Sequence, residues 1–283
     1  MPFVVPIEEA RSAYPEYEFV ASLTPSEQKA AFHVRDASGN DLCLKIIAPN
    51  YEVDRLRREI QALQLITHPN VVRLVEYTFS SRPGSLRHFM IEEFIAGADL
   101  SDSLIEGQKW ERLRAADFFF ALFNGLDALD QKNIVHRDLK PSNIRVRPNG
   151  EPVIIDFGLA RHLDLPALTR TCDGAAFGTL PYFAPEQFAG TKYDIDPRTD
   201  LFAAGILIYQ ALVGRPPFWR RGMTWQELSD AVCTLDDYKN AAEFTALPDK
   251  WRLLITRLME KNRADRPRHA AQVAAILRKI REE

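Results

Sequence analysis

The sequence predicts an α+β fold in two lobes: a small antiparallel sheet with one main helix, followed by a larger, mainly helical part. Three observations carry this. Up to Phe94, short apolar stretches alternate with turn residues; after Gly97, apolar residues recur at helical spacing. At 283 residues the chain also exceeds the usual size of a single hydrophobic core.

The elements follow in order. Residues 1–16 read as an N-terminal extension, 17–95 as the first lobe and 96–283 as the second. From Tyr17 to Ile47 the pattern fits three antiparallel strands, with Asp36-Ala37-Ser38-Gly39-Asn40 as a hairpin connection. A helix is expected from about Glu52 to Thr67, because Leu56, Ile60, Leu63 and Ile66 share one helical face and His68-Pro69-Asn70 stops it. Two strands fit Val71–Phe79 and His88–Phe94, and the lobe boundary falls near Ile95 to Ala98. Helices are expected over Arg114–Asp130, Arg198–Val213, Trp225–Cys233, Lys250–Glu260 and Ala270–Ile280. Asn149-Gly150, between Ile144-Arg145-Val146 and Val153-Ile154-Ile155, is a hairpin signal inside the helical half.

Composition narrows the function. Hydrophobic residues at 46% and charged residues at 27% match an ordinary globular protein. The formal charge of −3 gives no global attraction to nucleic acid or to an anionic membrane. The basic run Arg55-Leu56-Arg57-Arg58 leaves a local contact with such partners open, though a basic run on a helix is more often a solvated face. Cys43, Cys172 and Cys233 lie far apart without C-x-x-C spacing, so neither a zinc site nor a disulfide framework is indicated, and a reducing cytoplasmic setting is expected. No apolar run approaches the ~20 residues that span a bilayer, so no membrane partner is expected.

The chemistry sits in His136-Arg137-Asp138-Leu139-Lys140-Pro141-Ser142-Asn143, followed thirteen residues after Asn143 by Asp156-Phe157-Gly158. One carboxylate can accept a proton from an attacking hydroxyl, a lysine two residues on can neutralise a phosphate in transit, and an Asn and a second Asp can hold divalent metal. The hairpin between them would place Asn143 and Asp156 at its two ends.

With these motifs in order the chain resembles the eukaryotic-like serine/threonine protein kinase family over roughly residues 17 to 280. The wording from Gly178 to Gln187 is closer to bacterial members. The resemblance implies a two-lobed protein kinase fold that uses ATP and Mg²⁺ to phosphorylate Ser/Thr hydroxyls of a protein substrate, with autophosphorylation of its activation loop. It implies that Asp138 is the catalytic base, that Lys140 stabilises the phosphoryl group, and that Asn143 and Asp156 coordinate Mg²⁺. Lys45 would be the phosphate-binding lysine, ion-paired with Glu59. Ser26, Ala31, Cys43, Glu93 and Ile95 would complete the nucleotide site. Thr179 would hydrogen-bond near the base, Glu186 would pair with Arg266, and Asp200 would anchor the backbone of His136-Arg137. Leu63, Leu74, His136 and Phe157 would stack between the lobes. Thr169 and Thr171 lie in the activation segment, where a phosphate could pair with Arg137.

The nucleotide side departs from the family pattern. From Ser22 to Ala31, where a G-x-G-x-x-G loop belongs, there is no glycine, and Pro25 removes a backbone donor. Ser26 or Lys29 could substitute with side-chain contacts. Glu92 takes the gatekeeper position and Arg145 the position beneath the base, both normally apolar or small; they are expected to approach each other, bond the nucleotide or reach solvent. Two other functions stay open: a nucleotide-binding pseudokinase or scaffold, and a small-molecule phosphotransferase.

Overall fold

The computed structural model describes residues 1–78, 88–158, 161–162, 180–189 and 195–282. The chain divides into two compact units, Met1–His68 with Val72–Ala96, and Pro69–Val71 with Gly97–Glu283.

Unit 1 contains α1 (Ile7–Ala13), β1 (Glu18–Ser22), β2 (Lys29–Arg35), β3 (Asp41–Ile47), α2 (Val53–Gln64), β4 (Leu74–Thr78) and β5 (Phe89–Glu93). Its five strands form an antiparallel sheet in the order β1-β2-β3-β5-β4. The β2–β3 hairpin forms where expected because Asp36 closes it: its Oδ1 accepts the amides of Ser38 and Asn40 at 2.9 Å each. The two sheet faces then follow from period-two alternation. Ala30, Phe32, Val34, Leu42, Leu44, Ile46, Phe89 and Ile91 form one buried face, joined by Val5, Ala10 and Tyr14 from the N-terminal segment. Tyr14 meets Phe89 edge to face with ring centroids 5.0 Å apart, an arrangement worth about 0.5–1.5 kcal/mol beyond its burial. The N-terminal segment thus contributes Val5, Ala10 and Tyr14 to the core of unit 1. The opposite face of the sheet carries Lys29, Ala31, Cys43, Lys45, Met90 and Glu92.

Unit 2 holds β6 (Ala98–Asp99), α3 (Arg112–Asp130), β7 (Ile134–Val135), β8 (Ile144–Val146), β9 (Pro152–Ile154), β10 (Arg161–His162), α4 (Pro185–Phe188), α5 (Arg198–Val213), α6 (Trp225–Thr234), α7 (Ala242–Thr245), α8 (Asp249–Leu258) and α9 (Ala270–Arg281). The centre is α5, apolar on nearly every side and buried from Leu201 to Tyr209. It ends at Gly214, whose φ of 88° is the left-handed cap that glycine adopts without a Cβ penalty. The β8–β9 hairpin is longer than a two-residue turn: Arg147 N–H bonds the Glu151 carbonyl at 2.9 Å, with Gly150 at φ 88° between them.

Candidate active site

In unit 2 the backbone of His136 and Arg137 is fixed first. Asp200, from the first turn of α5, is buried and accepts both amides, His136 N–H at 2.7 Å and Arg137 N–H at 2.9 Å. Burial pushes its carboxyl pKa up, while these two bonds pull the other way. Gln187 Nε2 donates to the Arg137 carbonyl at 2.9 Å. Arg137 is thereby held at φ 68° and Asp156 sits at φ 60°, backbone positions that non-glycine residues rarely adopt and that cluster at functional sites. His136 Nε2 faces the Ile155 carbonyl at 3.0 Å and its Nδ1 faces Asp138 N–H at 3.3 Å, which requires the neutral ring to carry its proton on Nε2. Its ring packs on Phe157 at 4.9 Å.

Asp138 stands on this frame. Its Oδ2 accepts Lys140 Nζ at 3.0 Å and Asn143 Nδ2 at 3.0 Å. Its Oδ1 is buried and has no hydrogen-bond partner among the described residues. A buried carboxylate oxygen left bare is costly unless something else arrives to bond it. Asn143 Nδ2 also donates to the Asp138 carbonyl at 2.8 Å, so both its N–H bonds are committed and its Oδ1 is the atom it can offer a cation. Ile155 N–H bonds the Asn143 carbonyl at 2.9 Å, which brings the chain back beside Asn143 immediately before Asp156. Asp156 and Asn143 together present hard oxygen donors of the kind Mg²⁺ prefers. Among the described residues no cluster of three or more His, Cys, Asp or Glu could hold a metal by itself.

In unit 1 the charges lie on one sheet face. Ala31 opposes Lys45 across β2–β3, and Cys43 opposes Glu92 across β3–β5. Lys45 Nζ lies 2.6 Å from Glu92 Oε2, and Glu92 is only 2% exposed, with Oε1 lacking any partner among the described residues. Glu59, fully buried on α2, is ion-paired with Lys29 and also takes the Tyr51 hydroxyl at 3.4 Å. The pairing expected from the sequence was Lys45 with Glu59; the contacts found give Lys45 to Glu92 and Glu59 to Lys29. Glu92 on the strand beside Lys45 demands a counter-charge there, and Lys29 supplies one to Glu59.

A model of the protein kinase domain matches residues 30–276. The chain belongs to the protein kinase domain family. It is similar to a probable serine/threonine-protein kinase of Corynebacterium efficiens, 30% identical over 270 residues, 92% of this chain and 40% of the relative. It is also similar to serine/threonine-protein kinase pkn2 of Myxococcus xanthus, 35% identical over 231 residues, 79% of this chain and 27% of the relative. A plant relative, CBL-interacting serine/threonine-protein kinase 24 of Arabidopsis thaliana, is 30% identical over 260 residues, 88% of this chain and 53% of the relative. The chain thus spans well under two thirds of these relatives' length.

Within this kinase domain the remaining expected residues fall as follows. Glu186 forms a bidentate pair with Arg266 at 2.7 and 2.8 Å, and Thr199 Oγ1 donates to the same carboxylate at 2.8 Å. Arg266 also bonds the carbonyls of Glu260, Arg198 and Lys261, so this buried pair is well satisfied. Ser26 Oγ accepts the amides of Gln28 and Lys29 at 3.2 and 3.0 Å, which commits it to its own turn. Glu93 is tied to Arg73 by backbone and side chain, and Ile95 is buried. Arg145 finds its counter-charge inside unit 2, with Asp99 Oδ1 at 2.8 Å and the Gly97 carbonyl at 2.5 Å. Gly97 has φ 118°, and a Cβ there would run into the Val146 carbonyl, so only glycine brings that oxygen into place. Glu92 and Arg145, expected to approach each other, bond the nucleotide or reach solvent, each have a counter-ion within their own unit. Gly178, Thr179, Thr169, Thr171 and Cys172 lie outside the described residues. Two groups that bear on the site were missed in the sequence: Gln187, which holds the Arg137 carbonyl, and Asp99, which neutralises Arg145. Neither has a motif signal of its own.

Proposed function

We propose that this chain is a catalytically active serine/threonine protein kinase domain that transfers the terminal phosphoryl group of ATP to a hydroxyl of a protein substrate. The observation that carries it is the bare, buried Oδ1 of Asp138 beside Lys140 and Asn143. Asp138 accepts the proton of the incoming hydroxyl at that oxygen, while Asn143 and Lys140 hold its other oxygen still. Lys140 offers positive charge to the phosphoryl group in transit. Asn143 and Asp156 would hold Mg²⁺, which when bound offsets charge on the phosphate oxygens. On the nucleotide side, Lys45 faces the phosphates, with Ala31, Cys43, Glu93 and Ile95 around the base. The names of the relatives, all serine/threonine-protein kinases, support this acceptor. Among the described residues no helix is long and apolar enough to cross a membrane, and the cytoplasm is the proposed location.

Radiolabel transfer from Mg·ATP to a mixed protein substrate tests this. Asp138→Ala is expected to lower transfer by about 10²-fold or more. Background transfer by both proteins would instead favour a nucleotide-binding scaffold, a reading that the charge on Glu92 beside Lys45 makes specific.

A further inference from the structure

Kinase-domain loops that cover phosphates do so with backbone amides, and glycine lets those amides come close. The loop before β2 in this chain commits several of its amides to itself. Leu23 N–H bonds the Ala31 carbonyl at 2.8 Å, Ser26 N–H bonds the Lys29 carbonyl at 2.9 Å, and Gln28 and Lys29 N–H both bond Ser26 Oγ. Pro25 has no N–H to give. Fewer amides are thus left for phosphate in this part of unit 1, and side chains have more of its charge to meet.

Lys29 stands where that cation is needed. It is the first residue after the turn, it is buried, and its ammonium is held by Glu59. In the pairing of β2 with β3, Lys29 opposes Ile47 and Ala31 opposes Lys45, so the two lysines are diagonal neighbours on the same sheet face. Sheet geometry separates such positions by ~7–8 Å. One triphosphate is long enough to meet both. The four charged groups also balance, two ammonium groups against Glu59 and Glu92. Glu92 offsets the charge of Lys45 at the strand beside it, which leaves a phosphate chain less favourable charge from Lys45 than a lone lysine gives. Lys29 restores it.

We infer that Lys29 is a second phosphate-binding lysine of the nucleotide site, aimed by Glu59 and standing in for the backbone amides that the preceding loop commits to itself. This rests on the ATP-dependent reaction proposed above. Glu59 is accordingly a positioning residue for Lys29.

The test compares ATP with adenosine, which lacks the phosphates, by titration calorimetry on the chain and on Lys29→Met. Because Lys29 acts on phosphate alone, ATP affinity is expected to fall about tenfold or more, the scale of one charge-assisted hydrogen bond, while adenosine affinity stays within about twofold. Lys29→Arg is expected to recover part of the loss. If Lys29→Met fails to fold around an uncompensated Glu59, the double variant Lys29→Met, Glu59→Gln removes both charges and carries the same expectation. Equal losses for ATP and adenosine would mean a purely structural role and overturn the inference, as would unchanged ATP affinity in a folded variant. If the unaltered chain binds adenosine and transfers phosphate while Lys29→Met does so equally well, only the assignment of Lys29 falls. If the unaltered chain binds no ATP, both it and the proposed reaction fall.

Discussion

Around Asp138 the chain fixes one carboxylate with one ammonium and one amide on a backbone that is itself held by hydrogen bonds, whereas around Lys45 it sets buried charges against each other in pairs. The first arrangement is a frame: Asp200 and Gln187 hold the backbone, Asn143 and Lys140 hold Oδ2, and one oxygen is left bare. The second is a balance, Lys45 with Glu92 and Lys29 with Glu59, in which three of the groups share one sheet face and Glu59 comes from α2. A frame tolerates no substitution of its central group. A balance can be re-weighted, because each buried charge depends on a partner that another residue type could replace. This is the physical sense in which unit 2 keeps the family pattern while unit 1 has diverged from it.

Substitutions can break or sharpen that contrast. The largest effect is expected at the centre of the frame: Asp138→Ala should cost about 10²–10⁴-fold in transfer rate with little change in thermal stability, read by radiolabel kinetics and calorimetric melting. Arg266→Met should next cost about 3–5 kcal/mol of stability in urea unfolding, because it leaves the buried Glu186 carboxylate without its bidentate partner. Glu92→Leu re-weights the balance. By removing the counter-charge on Lys45 it should tighten ATP binding by about fivefold, roughly 1 kcal/mol, and a weaker affinity would contradict the balance. Arg145→Leu should do least, under about 1 kcal/mol, since its pair with Asp99 is partly exposed and water screens it.

The frame could be read from the sequence because its parts are local or motif-bound. Asp138, Lys140 and Asn143 lie within a stretch of six residues, and Ile155 N–H closes the hairpin back onto Asn143. Glu186 with Arg266 and Asp200 with His136-Arg137 were also expected, from the motifs around them. The balance could not be read. Which lysine meets Glu59 depends on the register of β2 against β3 and on the strand face that places Lys29 beside α2. A one-residue slip would move Lys29 to the other face. Helix α1 was missed for a different reason: at seven residues it is too short to show helical periodicity, and the burial of Ala10 and Tyr14 against the sheet stabilises it. The helix predicted to reach Thr67 ends at Gln64, where the last amides tighten onto Ala62 and Leu63 ahead of His68-Pro69.

Steady-state transfer kinetics with ATP varied, run on the unaltered chain, Asp138→Ala and Glu92→Leu together, test the contrast most directly. The frame and the balance predict separate signatures: Asp138→Ala lowers kcat by about 10²-fold or more at nearly constant KM for ATP, and Glu92→Leu shifts KM downward at nearly constant kcat. Transfer by Asp138→Ala at the rate of the unaltered chain would contradict the account.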